Sequence, residues 1–410
     1  MQQTLQHFVS NPKKEILLFD ESQHPLFLTY ALLLLSSGYS VGPITLDIIK
    51  SLNLEVERTD SEGVFTCSHP VAQPSILCFS SGTKKHQKGI VRTYQSWQHS
   101  FSIIAKEITD FPSARAIVLG SLPYSLSLFG AMESAQRGKR PLLFPTHNLR
   151  FYTTLDPEEN YILWATPSHC SFFIHALAKA QIKPIETVKY VFVGGAHFSN
   201  QLRSQLQQVF PKAYVYSFYG ASETSFIALK RPDDVSESVG TLCQGVTLSV
   251  KDENNQQLPS NSPGMLWVKS NQVFDSYLQK GLKTNQLDGF ISINDSGFVD
   301  HQNRLFFSGR TARKVSISGH IIDVDALEKW YKRELQKEDI VLLVKPNETK
   351  ENTLILCAKY PIAENQWQRL KKMALGELGT QGVAKKWVHC PEWPLLKNGK
   401  VDMQKLKSFL

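Results

Sequence analysis

"CFSSGTKKHQKGIV", residues Cys78 to Val91, sets two serines, a glycine and a threonine directly before a cluster of lysines. Small hydroxyl residues and a glycine let backbone N–H groups approach phosphate oxygens closely, and the lysines add positive charge. Taken alone, the same residues also make a solvated basic turn. The stretch has to be read with what surrounds it.

Working outward, the segment from about Gln73 to Ala228 alternates short apolar runs with amphipathic stretches. "PSILCFS", "ARAIVLG", "YILWAT", "KYVFVGG" and "AYVYSFYG" read as strands, with helices in "SLFGAMESAQRG", "CSFFIHALAKAQ" and "NQLRSQLQQVF". Such alternation implies a largely parallel sheet covered by helices, with ligands beyond the carboxyl ends of its strands. The opening loop follows one such strand, and "SFYGASET" ends another. From about Ser238, "GVTLSVKDENNQQLP" and "GMLWVKSNQVF" read as strands of hairpins or a small barrel. Near Gly309 a third texture begins, with strands in "SISG", "DIVLLVKP", "TLILCAKY" and "KKWVHC" and helices in "DVDALEKWYKREL" and "ENQWQRLKKMALGEL". That stretch is long enough to fold as a unit.

Composition narrows the function class. The chain has 410 residues, 42% hydrophobic and 20% charged, which is ordinary globular composition. Its formal charge of +8 suits anionic small molecules or an acidic protein partner, and no dense basic tract points to nucleic acid. The six cysteines are scattered without a CxxC pair and are expected to be buried free thiols. No histidine spacing suggests a zinc site. The apolar run "PLFLTYALLLL" (Pro25–Leu35) is too short to span a bilayer and lacks the basic lead-in of a signal peptide, so a buried helix and a cytoplasmic location are expected.

Three further segments complete the pattern. "SFYGASET" (Ser217–Thr224) puts an aromatic, a glycine and a carboxylate at a strand end. "INDSGFVDHQNRLFFSGR" carries Asp295 and Arg310 fifteen residues apart across a hairpin-like stretch, and "WPLLKNGKVD" presents Lys400 after a glycine. Each has a plainer reading: Asp295 capping a turn, Glu223 opening a helix, Arg310 in a structural ion pair, Lys400 on the surface.

In this order the segments resemble the acyl-adenylate-forming superfamily, which includes acyl- and aryl-CoA ligases, luciferases and nonribosomal-peptide adenylation domains. Its phosphate loop, T/S-S-G-T-T-G-x-P-K-G, corresponds to Ser80–Gly89, and its Y-G-x-T-E to Tyr219–Glu223. Its T-G-D-x-G corresponds to Ile293–Gly297, followed by Gly309-Arg310, and its P-x-x-x-x-G-K to Pro394–Lys400. "VGGAHFS" occupies the place of the adenine segment, so the resemblance runs from about Pro74 to the C-terminus.

The resemblance implies an α/β adenylate-forming fold. A large domain over residues 1–309 would combine helix-covered sheets with a small barrel-like region, and a small mobile α+β domain would occupy 310–410. The phosphate loop begins unusually early for the family, so a shortened N-terminal part is expected. The implied chemistry activates a carboxylic acid with ATP as an acyl-adenylate and transfers the acyl group to coenzyme A or to an acyl carrier protein. A degenerate binding protein without turnover is the alternative of a different class.

By the same resemblance, Ser80, Ser81, Gly82, Thr83 and Lys88 would hold phosphates, and Glu223 with Thr83 would hold Mg²⁺. Tyr219 would lie against adenine, with Gly194, Gly195 and Ala196 as the other wall and Gly220, Ala221 and Ser222 completing the segment. Asp295 and Arg310 would bind the ribose, and Lys400 would bridge the carboxylate and the α-phosphate. Ser318, Gly319 and His320 would meet coenzyme A. Tyr124 and Phe218 are the candidates for the acyl pocket, although a core tyrosine explains Tyr124 equally well. The chain departs from the family pattern at Lys84, Lys85 and Gln87 in the loop, at Ile293 and Asn294 before the aspartate, at Ala312 in place of a charged hinge residue, and at Ile321.

Overall fold

The computed structural model describes residues 15–58, 63–80, 87–144, 153, 155–196, 198–234, 236–310, 313–317, 320–347, 351–396 and 400–409. Side chains are outside the description at 23–26, 310, 314, 316, 320, 321, 346, 347 and 351. The chain divides into two compact units. Met1–Thr247, Val268–Gly289 and Lys397–Lys400 form the first, and Leu248–Trp267, Phe290–Leu396 and Val401–Leu410 the second.

The first unit opens with strands β1 (Glu15–Asp20), β2 (Ser40–Ile44), β3 (Val56–Arg58), β4 (Val64–Ser68), β5 (Ser75–Phe79) and β6 (Gly89–Thr93). They form a mixed sheet in the order β6-β5-β2-β1-β4-β3. β5 pairs parallel with β2 and antiparallel with β6, so the loop between β5 and β6 closes a hairpin rather than leading into a helix. Helices α1 (His24–Ser36) and α2 (Leu46–Leu52) lie within this stretch, and α3 (Tyr94–Ala105) follows β6. The run expected as a buried helix is α1, with Phe27, Ala31, Leu34 and Leu35 buried and Leu33 exposed.

The second sheet contains β7 (Arg115–Leu119), β8 (Leu142–Phe144), β9 (Tyr161–Ala165), β10 (Val188–Gly194), β11 (Tyr214–Ala221), β12 (Ser225–Lys230) and β13 (Thr241–Leu242). Strands β8, β7, β9, β10 and β11 run parallel, as the alternation predicts, and β12 and β13 add antiparallel. Helices α4 (Ser125–Gln136), α5 (Pro167–Lys179) and α6 (Asn200–Val209) make the crossovers. Their starts are set locally. Thr166 Oγ1 accepts the His169 N–H at the head of α5, with Pro167 at the first helical position, and Ser199 Oγ accepts the Leu202 N–H at α6.

Alternate residues of this sheet face opposite layers. Leu163, Val191, Val193 and Val215 pack with Cys170, Phe173, Leu202 and Leu206 of α5 and α6. On the other face, Trp164 stacks on Phe192 at 4.6 Å and Phe192 on Tyr216 at 4.9 Å. Phe129 of α4 meets Trp164 edge-on at 5.1 Å. All six cysteines are free and buried.

Further along the chain come β14 (Val246–Lys251), β15 (Gly264–Ser270), β16 (Ser276–Tyr277), β17 (Asn285–Leu287), β18 (Phe290–Val299) and β19 (Leu305–Arg310). Within the first unit, β16 joins the edge of the first sheet beside β6. In the second unit, β18 and β19 are an antiparallel pair. Beyond them lie a hairpin of β20 (Lys314–Ile317) and β21 (His320–Asp323), and a sheet of β22 (Ile340–Asn347), β23 (Glu351–Ala358) and β24 (Lys386–His389). Helices α7 (Val324–Leu335) and α8 (Glu364–Leu378) bury Trp330, Tyr331, Trp367 and Leu370 against Leu342, Leu354 and Leu356. A short helix, α9 (Met403–Lys407), ends the described chain. No helix among the described residues is long and apolar enough to cross a membrane.

Candidate active site

The base of the phosphate-type loop is tied shut from both strands. The Ser80 N–H donates to the Lys88 carbonyl at 2.9 Å, and the Lys88 N–H donates to Ser80 Oγ at 2.9 Å. Gln279 fastens the same place: its Nε2 donates to the Gln87 carbonyl at 3.1 Å, and its Oε1 accepts the Gly89 N–H at 3.0 Å. Gln87, which departs from the family's proline, is only 8% exposed and accepts from Ser51 Oγ. Ser81, Gly82, Thr83, Lys84, Lys85 and His86 lie outside the described residues.

Lys88 reaches the turn that carries Glu223. Its Nζ lies 3.7 Å from Glu223 Oε1 and donates to the Tyr277 hydroxyl at 3.1 Å, while that hydroxyl donates to Glu223 Oε1 at 3.0 Å. The ammonium also sits over the Tyr277 ring, 4.6 Å from its centre. Burial pulls the Lys88 ammonium down, but Tyr277 and Glu223 outweigh it and hold it above the ordinary lysine value. Burial and then the Glu223 charge push the Tyr277 phenol up.

Glu223 does not open a helix. It lies in the tight turn between β11 and β12, where Thr224 Oγ1 accepts the Ala221 N–H and the Glu223 carbonyl accepts from Phe274. A Cβ on Gly220 would come within 1.8 Å of the Ser225 carbonyl oxygen, so this hairpin closes only around glycine. Glu223 Oε2 has no partner among the described residues, and no cluster of three potential metal ligands is found among them. That donor set suits a divalent ion arriving with a triphosphate and keeping its waters, rather than a resident metal.

The second grouping forms where β10 and β11 end side by side. Gly194 is the register partner of Phe218, which brings Gly194, Gly195 and Ala196 alongside Phe218, Tyr219, Gly220, Ala221 and Ser222. The Phe218 ring lies across Gly194, where a Cβ would meet it at 2.2 Å, and packs edge-on against Phe226 at 4.7 Å. Gly195 is exposed and adopts φ +86°. A Cβ there would fall 3.3 Å from Lys400 Cε, 3.7 Å from its Nζ and 3.8 Å from Thr166 Cγ2. Tyr124 stands at the head of α4, with its backbone bridged to Phe79 directly before Ser80.

Asp295 and Arg310 belong to the second unit. They are opposed residues of β18 and β19, so the hairpin expected from their spacing is present. Asp295 is buried, while the Arg310 side chain lies outside the description. Asn294, which stands where the family pattern has glycine, takes φ +60°, a left-handed conformation that asparagine tolerates better than most residues. Ser318, Gly319 and Ala312 lie outside the described residues. The backbone of His320 pairs with Ile317.

Sequence reasoning missed Tyr277 and Gln279, and used Thr166 only to mark the helix after it as pocket-lining. Thr166 had a signal, as a threonine before a proline that opens a helical pattern. Tyr277 and Gln279 had none, because the pairing of β16 with β6 joins segments far apart in the chain.

The comparisons with known proteins agree with this architecture. Residues 44–278, more than half of the chain, match the AMP-binding enzyme family. An uncharacterised acyl-CoA ligase of Bacillus subtilis (strain 168) is 23% identical over 82% of this chain and 69% of its own length. A D-alanine–D-alanyl carrier protein ligase of Listeria monocytogenes serovar 1/2a is 22% identical over 81% of this chain and 69% of its own length. Among solved structures, ATP-bound MatB from Rhodopseudomonas palustris superposes with a TM-score of 0.69 at 18% identity, covering 100% of this chain and 81% of MatB. The O-succinylbenzoate coenzyme A synthetase of Bacillus subtilis, in complex with ATP and magnesium, gives 0.66 at 16% identity over 93% of this chain and 82% of that one. The chain therefore belongs to the AMP-binding enzyme family, with the fold of the adenylate-forming enzymes, and is an AMP-forming ligase.

Proposed function

We propose that the protein activates a carboxylic acid with ATP as an acyl-adenylate and passes the acyl group to a thiol, most simply that of coenzyme A. The observation that carries this reading is the placement of Lys400 over Gly195, at the carboxyl end of β10 and beside Phe218–Ser222. There the ammonium would offset charge developing between the attacking carboxylate and the α-phosphate. Lys88, with Ser80 at the loop base and Ser81, Gly82 and Thr83 in the loop, would hold the β- and γ-phosphates. Glu223 Oε2 and Thr83 would face Mg²⁺, which would neutralise triphosphate charge. Tyr219 and the Gly194–Ala196 segment would enclose adenine, with Asp295 and Arg310 on the ribose.

In this reading residues 1–309 bind nucleotide and residues 310–410 turn between the two steps, bringing Ser318, Gly319 and His320 to the thiol. Tyr124 and Phe218 would border the acid. The test is acid-dependent exchange of pyrophosphate into ATP over a panel of acids, followed by transfer to coenzyme A or to a phosphopantetheinylated carrier protein. Exchange with at least one acid is expected. Nucleotide binding with no exchange for any acid would leave a binding protein, and transfer only to the carrier would reassign the acceptor.

A further inference from the structure

His169 sits in the first turn of α5, with its N–H on Thr166 Oγ1 at 3.3 Å. Its side chain is buried, and neither Nδ1 nor Nε2 finds a hydrogen-bond partner among the described residues. The other unpartnered buried side chains among the described residues are tryptophan indoles and one threonine, each short of a single bond; His169 is short of two. An imidazole stripped of water on both nitrogens costs folding free energy, and such groups are satisfied in nearly all proteins. A buried ring with two open hydrogen-bonding positions is a candidate partner for a ligand group.

The surroundings indicate what and where. At the carboxyl end of β7, Gly120 takes φ +113°, and a Cβ there would lie 3.0 Å from His169 Cε1, 3.8 Å from Nε2 and 3.0 Å from Ser127 Oγ. The ring thus lies where β7, the head of α4 and the head of α5 meet. Thr166, which caps α5, borders Gly195 together with Lys400. Thr166 and His169 are three residues apart at the head of α5, about 4.5 Å along the helix axis. This is the end of the parallel sheet at which ligands bind. Burial holds the imidazole down at about 4, so at neutral pH it is uncharged, with one nitrogen donating and the other accepting. A neutral ring in a dry site suits an uncharged group that can do both.

We propose that His169 is a specificity-determining residue of the acid subsite, and that the acid carries a hydroxyl that hydrogen-bonds with this ring. The proposal rests on taking the Gly195–Lys400 corner as the place of carboxylate activation. Its consequence is measurable discrimination: a site built around a substrate hydroxyl rejects the analogue that lacks it, leaving the protein group unpaired.

The experiment compares kcat/KM in pyrophosphate exchange for matched acids, butyrate against 3- and 4-hydroxybutyrate and benzoate against 3- and 4-hydroxybenzoate. The full-length protein should prefer one hydroxylated member of a pair by about 10²-fold or more. His169→Phe should bring the kcat/KM ratio of the matched pair to about one, and His169→Asn should retain part of the preference. Thermal melts accompany both variants. An apolar ring in place of an unpartnered imidazole should leave the melting temperature unchanged or raised. A wild type indifferent to the hydroxyl, or variants that melt lower and keep the wild-type ratio, would overturn the proposal and leave the ligase reading standing. No exchange with any acid would overturn both.

Discussion

Replacing Tyr277 with phenylalanine isolates one atom of the Lys88–Glu223 cluster. The hydroxyl accepts from Lys88 Nζ at 3.1 Å and donates to Glu223 Oε1 at 3.0 Å, while the ring beneath the ammonium would remain. Each of these bonds involves a charged partner, and such bonds contribute roughly 1.5–3 kcal/mol when shielded. The Lys88 side chain is 39% exposed and Glu223 14%, so solvent screening argues for the low end. About 1.5 kcal/mol corresponds to roughly a tenfold effect. Because the atom orients two groups proposed to meet the triphosphate, the loss should fall on KM for MgATP more than on kcat. Tyr277→Phe should therefore raise that KM about tenfold in pyrophosphate exchange, with little change in melting temperature. Lys88, relieved of one group that holds its proton, should titrate lower than in the wild type. A variant that binds MgATP within about twofold of wild type would refute the reasoning, since the hydroxyl would then position nothing that ATP uses.

Two further substitutions test the proposed roles. Glu223→Gln keeps the shape of the side chain and removes its charge, so the Mg²⁺ concentration needed for half-maximal exchange should rise by at least about tenfold; unchanged Mg²⁺ dependence in a folded variant would remove Glu223 from the metal. Lys400→Ala should depress exchange by about 10²–10³-fold while thiol attack on supplied acyl-adenylate survives, and a variant that loses only thioester formation would contradict its assignment to adenylation.

The sequence made the parallel sheet legible but read only β5 of the first sheet, and grouped it with the parallel strands. Strands β7, β9, β10 and β11 are mostly apolar runs alternating with helices, of which α5 and α6 carry capping residues, so local pattern and tertiary placement agree. By contrast, β2 reads "SVGPI" and β3 has three residues, and their pairing depends on partners outside their own stretch. The same distinction runs through the site. Asp295 and Arg310 could be set opposite one another because a single hairpin joins them. Tyr277 could not be joined to Lys88, because the pairing that brings it there leaves no periodic trace in either segment.

The departures from the family pattern sort by whether they touch the backbone. Asn294 adopts a left-handed conformation open to glycine, and Asp295 after it stands opposite Arg310. Gln87 gives up the fixed φ of a proline, and the rigidity lost there has a visible substitute. Its carbonyl is held by Gln279, its side chain accepts from Ser51, and the Ser80–Lys88 pair closes the hairpin on the other side. The ties fix where Lys88 leaves the strand, and Lys88 is the residue that meets Glu223. The base is thus tied independently of Lys84 and Lys85, the loop residues that depart from the family pattern.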